Sequence, residues 1–467
     1  MSLMVGGGEA MGERRPGSSA ALAYRAALAA GFVAMLVLSF PGHLTYDSVT
    51  QLAEGRANAQ QSWGPAIYAW VLGLSDRMGG GTGAYLLASA ALLLVSLWSL
   101  PGLRRRTSWA AAAAAALVAA TPAVVLYQGI VWKDVLFANL AVAGFVALAH
   151  AGEARGGAGR WIALALAALA LALASLVRQN GLIVVVIAAL TVGLMVRRRG
   201  WVRAALAAAG SSAAVLLLAL AIDAAIQPPN ADPGRRTDTG LRILLHYDIL
   251  GAVARDPTIP LPHIDAANPA ADDLIRAKAG LAYSPERVDQ LEQHPDVRRS
   301  FWRTPAPAIR AQWLEVASQH PGAYLGHRLE AFRWVFLTPR LERCLPVAVG
   351  VEGVPAQLET LGLTAGQDAN DRRLAAYALR FADTPIYSHA AYALLAMVLA
   401  GLFLVRGGAA DLAMAGMLAA GLATAASYFA ISIACDYRYL YILDLTALTG
   451  LLYFALDPSL RRVRRSS

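Results

Sequence analysis

Residues Trp161 to Arg199 read WIALALAALALALASLVRQNGLIVVVIAALTVGLMVRRR. Two apolar runs, 161–177 and 181–196, flank three polar residues, Arg178-Gln179-Asn180, and the second run stops on three arginines. A helix rises about 1.5 Å per residue, so roughly 20 apolar residues cross a hydrocarbon core, with ~17 as a working minimum. The stretch therefore predicts two membrane helices joined by a tight polar turn, the second ending in a basic stop.

Working outward, eight further runs follow the same pattern: 21–40, 84–100, 108–126, 135–150, 202–222, 386–405, 412–431 and 437–456. The expected fold is all-α, a polytopic membrane protein with about ten transmembrane helices. Composition agrees, since 57% of the 467 residues are hydrophobic and 15% are charged, where a soluble domain carries about 25% charged residues. That balance excludes an ordinary cytosolic enzyme, and the apolar content excludes a disordered chain. The net charge of +9 does not point to nucleic acid, because the arginines sit in short runs beside apolar stretches. Two cysteines exclude a disulfide scaffold, and the eight histidines show no metal-binding spacing.

Basic residues in the short loops orient the chain. With a cytoplasmic N-terminus, sixteen arginines fall on the inner side: Arg14, Arg15, Arg104, Arg105, Arg106, Arg155, Arg160, Arg197, Arg198, Arg199, Arg203, Arg406, Arg461, Arg462, Arg464 and Arg465. The outer short loops hold five cations: Arg56, Arg77, Lys133, Arg178 and Arg438. Residues 1–20 are expected to be a disordered cytoplasmic N-terminus, 21–222 a seven-helix membrane module, 386–456 a three-helix module, and 457–467 a basic cytoplasmic tail. The first span ends on Ser39-Phe40-Pro41, without a small-x-small cleavage site, and reads as an uncleaved anchor. Residues 223–385 are too long and polar for a bare loop and are expected to form a mainly helical extracytoplasmic domain. There, Trp313, Val316, Ala317, His320, Tyr324 and Leu325 run through Pro321-Gly322 into Leu329, Phe332, Val335 and Phe336 at helical spacing.

Unusual polar groups collect on the outer side of this topology. The first outer loop, 41–83, opens Pro41-Gly42-His43-Leu44-Thr45-Tyr46-Asp47-Ser48, and Asp47 reads either as a helix cap or as a functional acid. Later in the loop, Ile67, Trp70, Val71, Leu74 and Met78 predict an interfacial helix, with Trp63, Tyr68 and Trp70 at headgroup level. The second outer loop carries Trp132-Lys133-Asp134, and Lys133 and Lys278 are the two lysines among forty basic residues. A compact ammonium kept beside an acid suits a phosphate contact or a pair with Asp134. Arg178-Gln179-Asn180 must face the bundle or a wet cavity. Cys435-Asp436-Tyr437-Arg438-Tyr439 reads either as a surface ion pair with aromatic belt, or as a guanidinium and aromatic platform at the same mouth. Cys344 and Cys435 both fall outside the membrane, where a disulfide between them is allowed but not required.

Acids and cations at a lipid-accessible mouth suit transfer of a sugar from a lipid-linked phosphate. The cations Lys133, Arg178 and Arg438 would stabilise the leaving phosphate, and a carboxylate would serve as general base in a single inverting displacement. The sequence also resembles the GT-C superfamily of polytopic glycosyltransferases, which includes protein O-mannosyltransferases and lipid A aminoarabinose transferases. The resemblance is carried by Pro41-Gly42…Tyr46-Asp47-Ser48…Gln51…Trp63-Gly64-Pro65, Lys133-Asp134, Arg178-Gln179-Asn180-Gly181, His320-Pro321…Tyr324…His327-Arg328 and Asp436-Tyr437-Arg438-Tyr439. It implies Asp47 and Asp134 as catalytic acids and a polyprenyl-phosphate sugar as donor. Substrate contacts would come from Lys133, Arg178, Gln179, Asn180, Arg438, Tyr439, Asp436 and Tyr46. Family members often carry His-Pro where this chain has Gly64-Pro65, which leaves a metal or acceptor role there unsupported. A divalent cation shared by Asp47 and Asp134 stays open, as does the acceptor: glycan, lipid or protein.

The expectation is therefore an inverting glycosyltransferase of a bacterial inner membrane, with its site on the extracytoplasmic face. A transporter or flippase of lipid-linked saccharides would place charges at mid-membrane, where this chain has few. An O-antigen ligase or polymerase would carry its key residues in 223–385.

Overall fold

The structure is a computed structural model that describes residues 18–60, 62 and 64–459. The expectations for residues 1–17, for Trp63 and for the tail arginines Arg461, Arg462, Arg464 and Arg465 lie outside the described residues. Helices follow one another as α1 (Ser18–Ser39), α2 (Tyr46–Ala57), α3 (Ala66–Arg77), α4 (Gly81–Ser99), α5 (Trp109–Ala120), α6 (Pro122–Val125), α7 (Lys133–Glu153), α8 (Ala158–Val177), α9 (Leu182–Val196) and α10 (Trp201–Ile226). A second group comprises α11 (Pro233–Arg255), α12 (Pro262–Ala267), α13 (Pro269–Ala282), α14 (Pro295–Arg303), α15 (Ala306–Gln319) and α16 (Pro321–Leu337). Then α17 (Pro355–Leu361) and α18 (Ala369–Leu379) lead into α19 (His389–Arg406), α20 (Ala409–Ile431) and α21 (Tyr441–Leu456). Extended pairing among the described residues is confined to isolated bridges.

Of the ten expected spans, eight are helices long and apolar enough to cross a membrane; they contain α1, α4, α7, α8, α10, α19, α20 and α21. The run 108–126 is not straight. It breaks at Thr121-Pro122 and bends by 59°, because proline disfavours helical backbone at the residue before it. The run 181–196 forms α9, whose 15 residues rise about 22 Å, less than any of those eight, and Arg197–Arg199 continue it as one 3-10 turn.

α7 and α21 thread the middle of the bundle, buried along most of their length, while α10 is largely exposed, as a lipid-facing helix would be. α2 and α3 cross backbone to backbone: a Cβ on Gly55 would lie 2.0 Å from the Ala69 carbonyl oxygen, and one on Gly73 would lie 2.2 Å from that of Gly55. Only glycine permits that approach. Arg56 then clamps Asp76 with two hydrogen bonds of 2.8 Å. Tyr68, expected at headgroup level, is instead fully buried, edge-on to Tyr85 at 5.7 Å; the crossing turns it inward.

α11 to α16 build a hydrophobic core of their own, from Ile249, Val253, Ile275, Phe301, Ile309 and Val316 among others. This unit is pinned to the bundle by a buried cluster. Arg328 pairs with Asp248 at 2.6 Å and donates to the carbonyls of Ala430 and Ser432 at the end of α20. Beyond α16 the chain rejoins the membrane core through Cys344, Val349, Leu358 and Leu374. Cys344 and Cys435 are joined in a disulfide, their Cα atoms 5.0 Å apart.

Candidate functional site

The site is assembled from four loops at one end of the bundle. His43 and Leu44 run extended between two other segments. His43 N–H donates to Gly129 O at 2.9 Å and Val131 N–H to His43 O at 2.9 Å, while Leu44 N–H donates to Gly350 O at 2.8 Å and Glu352 N–H to Leu44 O at 2.9 Å. The first loop is thereby fixed to the second, and to residues 350–352.

Helix α2 starts immediately afterwards, and its cap is Thr45, in a reciprocal capping box with Ser48. Thr45 Oγ1 also accepts from Trp132 Nε1 at 2.9 Å, and Ser48 Oγ donates to Val131 O at 2.5 Å. Asp47 is therefore not the cap. Its carboxylate instead meets Arg438 Nη2 at 2.7 Å, 391 residues away in sequence. Burial alone would push that carboxyl up, but Arg438, Lys133 and Arg178 outweigh it and hold Asp47 below the ordinary carboxylate value. The Asp47 side chain remains 47% exposed, so an incoming group can reach it.

Asp134 lies in the first turn of α7, 2% exposed, and pairs with Arg178 at the end of α8. Arg178 also donates to the Tyr428 hydroxyl. Asn180 donates to Ser427 Oγ at 3.2 Å, whereas Gln179 is exposed and stands outside this network. Arg438 bonds Asp436 at 3.1 Å as well as Asp47. Its guanidinium lies 5.0 Å from the Trp132 ring centre and 5.7 Å from that of Tyr439; the Arg178 guanidinium lies 5.4 Å from the Tyr439 ring centre. Two cations thus converge on one aromatic ring. Lys133 is within electrostatic reach of Asp47, Arg438, Arg178 and Glu54. Tyr46 is 57% exposed at the rim.

The structure thus brings together Asp47, Lys133, Asp134, Arg178, Asp436, Arg438 and Tyr439. Sequence reading missed Trp132 and Tyr428, which lie against the two guanidiniums. Trp132 adjoins Lys133, and Ser427-Tyr428 is a polar pair near the end of an apolar run, so both left a faint signal. It also missed Arg287, 3.8 Å from Asp436, and Asp289, within electrostatic reach of Asp47 and Asp436. Nothing in their sequence neighbourhood marks them. The residues do not fit a shared metal. Asp47 and Asp134 each already hold a guanidinium, and among the described residues no group of three or more His, Cys, Asp or Glu is arranged around a common point.

No family model matches the chain, and no curated protein matches it. Among solved structures it is similar to ArnT from Cupriavidus metallidurans in the apo state, at 16% identity and TM-score 0.37, covering 93% of this chain and 78% of that one. It is also similar to the same protein bound to undecaprenyl phosphate, at 16% identity and TM-score 0.36, covering 92% and 77%. A likeness of that size says nothing about chemistry, so the functional reading rests on this chain's own residues.

Proposed function

We propose that the protein is a membrane glycosyltransferase that moves a sugar from a polyprenyl-phosphate donor to an acceptor hydroxyl, with inversion. The observation that carries this reading is the half-open Asp47–Arg438 pair beside the buried Asp134–Arg178 pair, both guanidiniums meeting at Tyr439. In the proposed step, the acceptor oxygen bonds to the anomeric carbon as the bond from that carbon to the phosphate oxygen breaks. The hydroxyl proton passes to Asp47. The bonding pair leaves with the phosphate, whose new charge falls to Arg438, Arg178 and Lys133. In a single displacement the acceptor oxygen enters on the face opposite the leaving phosphate, which inverts the anomeric centre. Asp134, nearly closed to solvent, suits a positioning role: it holds the Arg178 guanidinium in place. Asp436 does the same for Arg438, and Tyr439 backs both.

This reading places the arginine-rich end of the bundle in the cytoplasm of a bacterial cell, and the site, with the α11–α16 unit, outside its inner membrane. Water-soluble nucleotide sugars do not reach that face, so a bilayer-anchored donor fits. The test is transfer of labelled sugar from a polyprenyl-phosphate donor by the purified protein, with the product's anomeric configuration read by NMR. The reading expects transfer and the opposite anomer. Retained configuration would remove the single displacement, and binding of the donor without transfer would remove the enzyme.

A further inference from the structure

Two hollows flank α2, one at each end. At the C-terminal end the walls mix Ala66, Ala69, Trp70 and Ile226 with Glu54, Asn58 and Gln60. At the N-terminal end lies a solvent-open hollow of about 450 Å³, lined by Tyr46, Val351, Glu352, Gly353 and residues 365–367. Its far wall is a tight backbone pairing, Val351 with Gly366, bonded at 3.0 Å in both directions. Its near wall is tied to the catalytic loop through the Leu44–Glu352 hydrogen bond of 2.9 Å. Tyr46 is the immediate neighbour of Asp47, whose exposed edge is where an acceptor hydroxyl must arrive.

We infer that this second hollow is the acceptor site, and that it takes a saccharide, either a free oligosaccharide or the glycan headgroup of an envelope lipid. This rests on the transferase reading above. An exposed tyrosine ring offers a face for the C–H side of a sugar, while Glu352 and Gln367, both exposed, offer planar hydrogen-bonding groups for its hydroxyl edge. An acyl chain would need an apolar wall, and beside the tyrosine this hollow offers only Val351 and Ala365. The arrangement separates the substrates by polarity, with the lipid donor approaching from the bilayer and the acceptor from water.

The test uses the full-length protein in nanodiscs with labelled polyprenyl-phosphate hexoses and three acceptor pools: soluble envelope oligosaccharides, envelope glycolipids, and sugar-free peptides. Wild type is compared with Tyr46→Ala and with Glu352→Gln combined with Gln367→Ala. Label is expected in one of the two saccharide pools, and which one receives it tells the free glycan from the headgroup. The hollow variants should raise the half-saturating acceptor concentration about tenfold, with polyprenyl-phosphate binding, measured separately, within twofold of wild type. Label entering peptides alone, or variants as efficient as wild type at every acceptor concentration, would overturn the site while leaving the transferase standing. Donor binding with no label in any pool would overturn both.

Discussion

A cluster of arginine and aspartate lies at each end of the helix bundle, and the pair are built from the same chemistry. At the arginine-rich end, Asp411 is 1% exposed, pairs with Arg104 and lies 3.7 Å from Arg406, which is 2% exposed. The Tyr453 hydroxyl donates to Asp411 at 3.2 Å, and the Arg104 guanidinium lies 4.4 Å from the ring centre of Tyr453. Arg406 also donates to the Ser459 carbonyl at 2.9 Å. The acid there is enclosed by groups of the chain itself, while the buried Arg104 Nε and Arg406 Nη1 make no hydrogen bond among the described residues. At the site end, Asp47 is half-exposed, and its arginine shares its ring with another cation. The difference teaches that charge pairing does not by itself mark a site. A closed cluster fixes loops, whereas an open one keeps a carboxylate and guanidiniums available to a ligand.

The largest expected effect breaks the closed cluster. Asp411→Asn leaves two arginines buried without their acid and should cost about 3–5 kcal/mol of stability, read as a large fall in melting temperature in detergent. Transfer per folded molecule should stay near wild type. A variant that melts normally but loses transfer would erase the distinction between the two ends. Next, Arg178→Ala should lower transfer about 10²-fold, since it removes a phosphate contact and strands Asp134; an effect confined to melting temperature would make Arg178 a structural residue only.

A smaller effect sharpens the open end. Arg438→Lys keeps the charge but loses the planar guanidinium, stacked near Trp132 and Tyr439, whose Nη2 donates to both Asp47 and Asp436, and should cost about tenfold in transfer. It should also move the pH profile. Because Asp47 is held below the ordinary carboxylate value, wild-type transfer should stay flat from neutral pH down to about 4 and fall only as Asp47 protonates beneath that. Weakening the Arg438 contact lets burial push the carboxyl up, so the acid limb should shift toward neutral. A limb that stays in place would uncouple the two residues. The smallest effect is expected from a chelator: EDTA should leave transfer within about twofold, and abolition would show a required metal.

Much of the bundle was legible because hydropathy and length act locally. Eight spans could be read from apolar runs alone, yet Pro122 inside the run 108–126 already signalled the bend there. Loop parity also carried much of the site, since Asp47, Lys133, Arg178 and Arg438 fall in alternate loops, and alternate loops share an end. The pairing was not legible. Sequence suggested local partners, Lys133 with Asp134 and Asp436 with Arg438. The structure has Asp436–Arg438 and, with it, Asp47–Arg438 and Asp134–Arg178, which only helix packing could select. Arg287 and Asp289 were invisible, because they reach the mouth through the docking of a separately cored unit held by Arg328.

The most direct measurement pairs two readouts on Asp47→Asn: sugar transfer from a polyprenyl-phosphate donor, and affinity for polyprenyl phosphate itself. Transfer should fall on the order of 10²-fold or more, while affinity for the anionic lipid holds or rises, because a neighbouring negative charge has been removed from Arg438. Near-normal transfer by that variant would contradict the assignment of Asp47 as the base, and with it the chemistry ascribed to the open cluster.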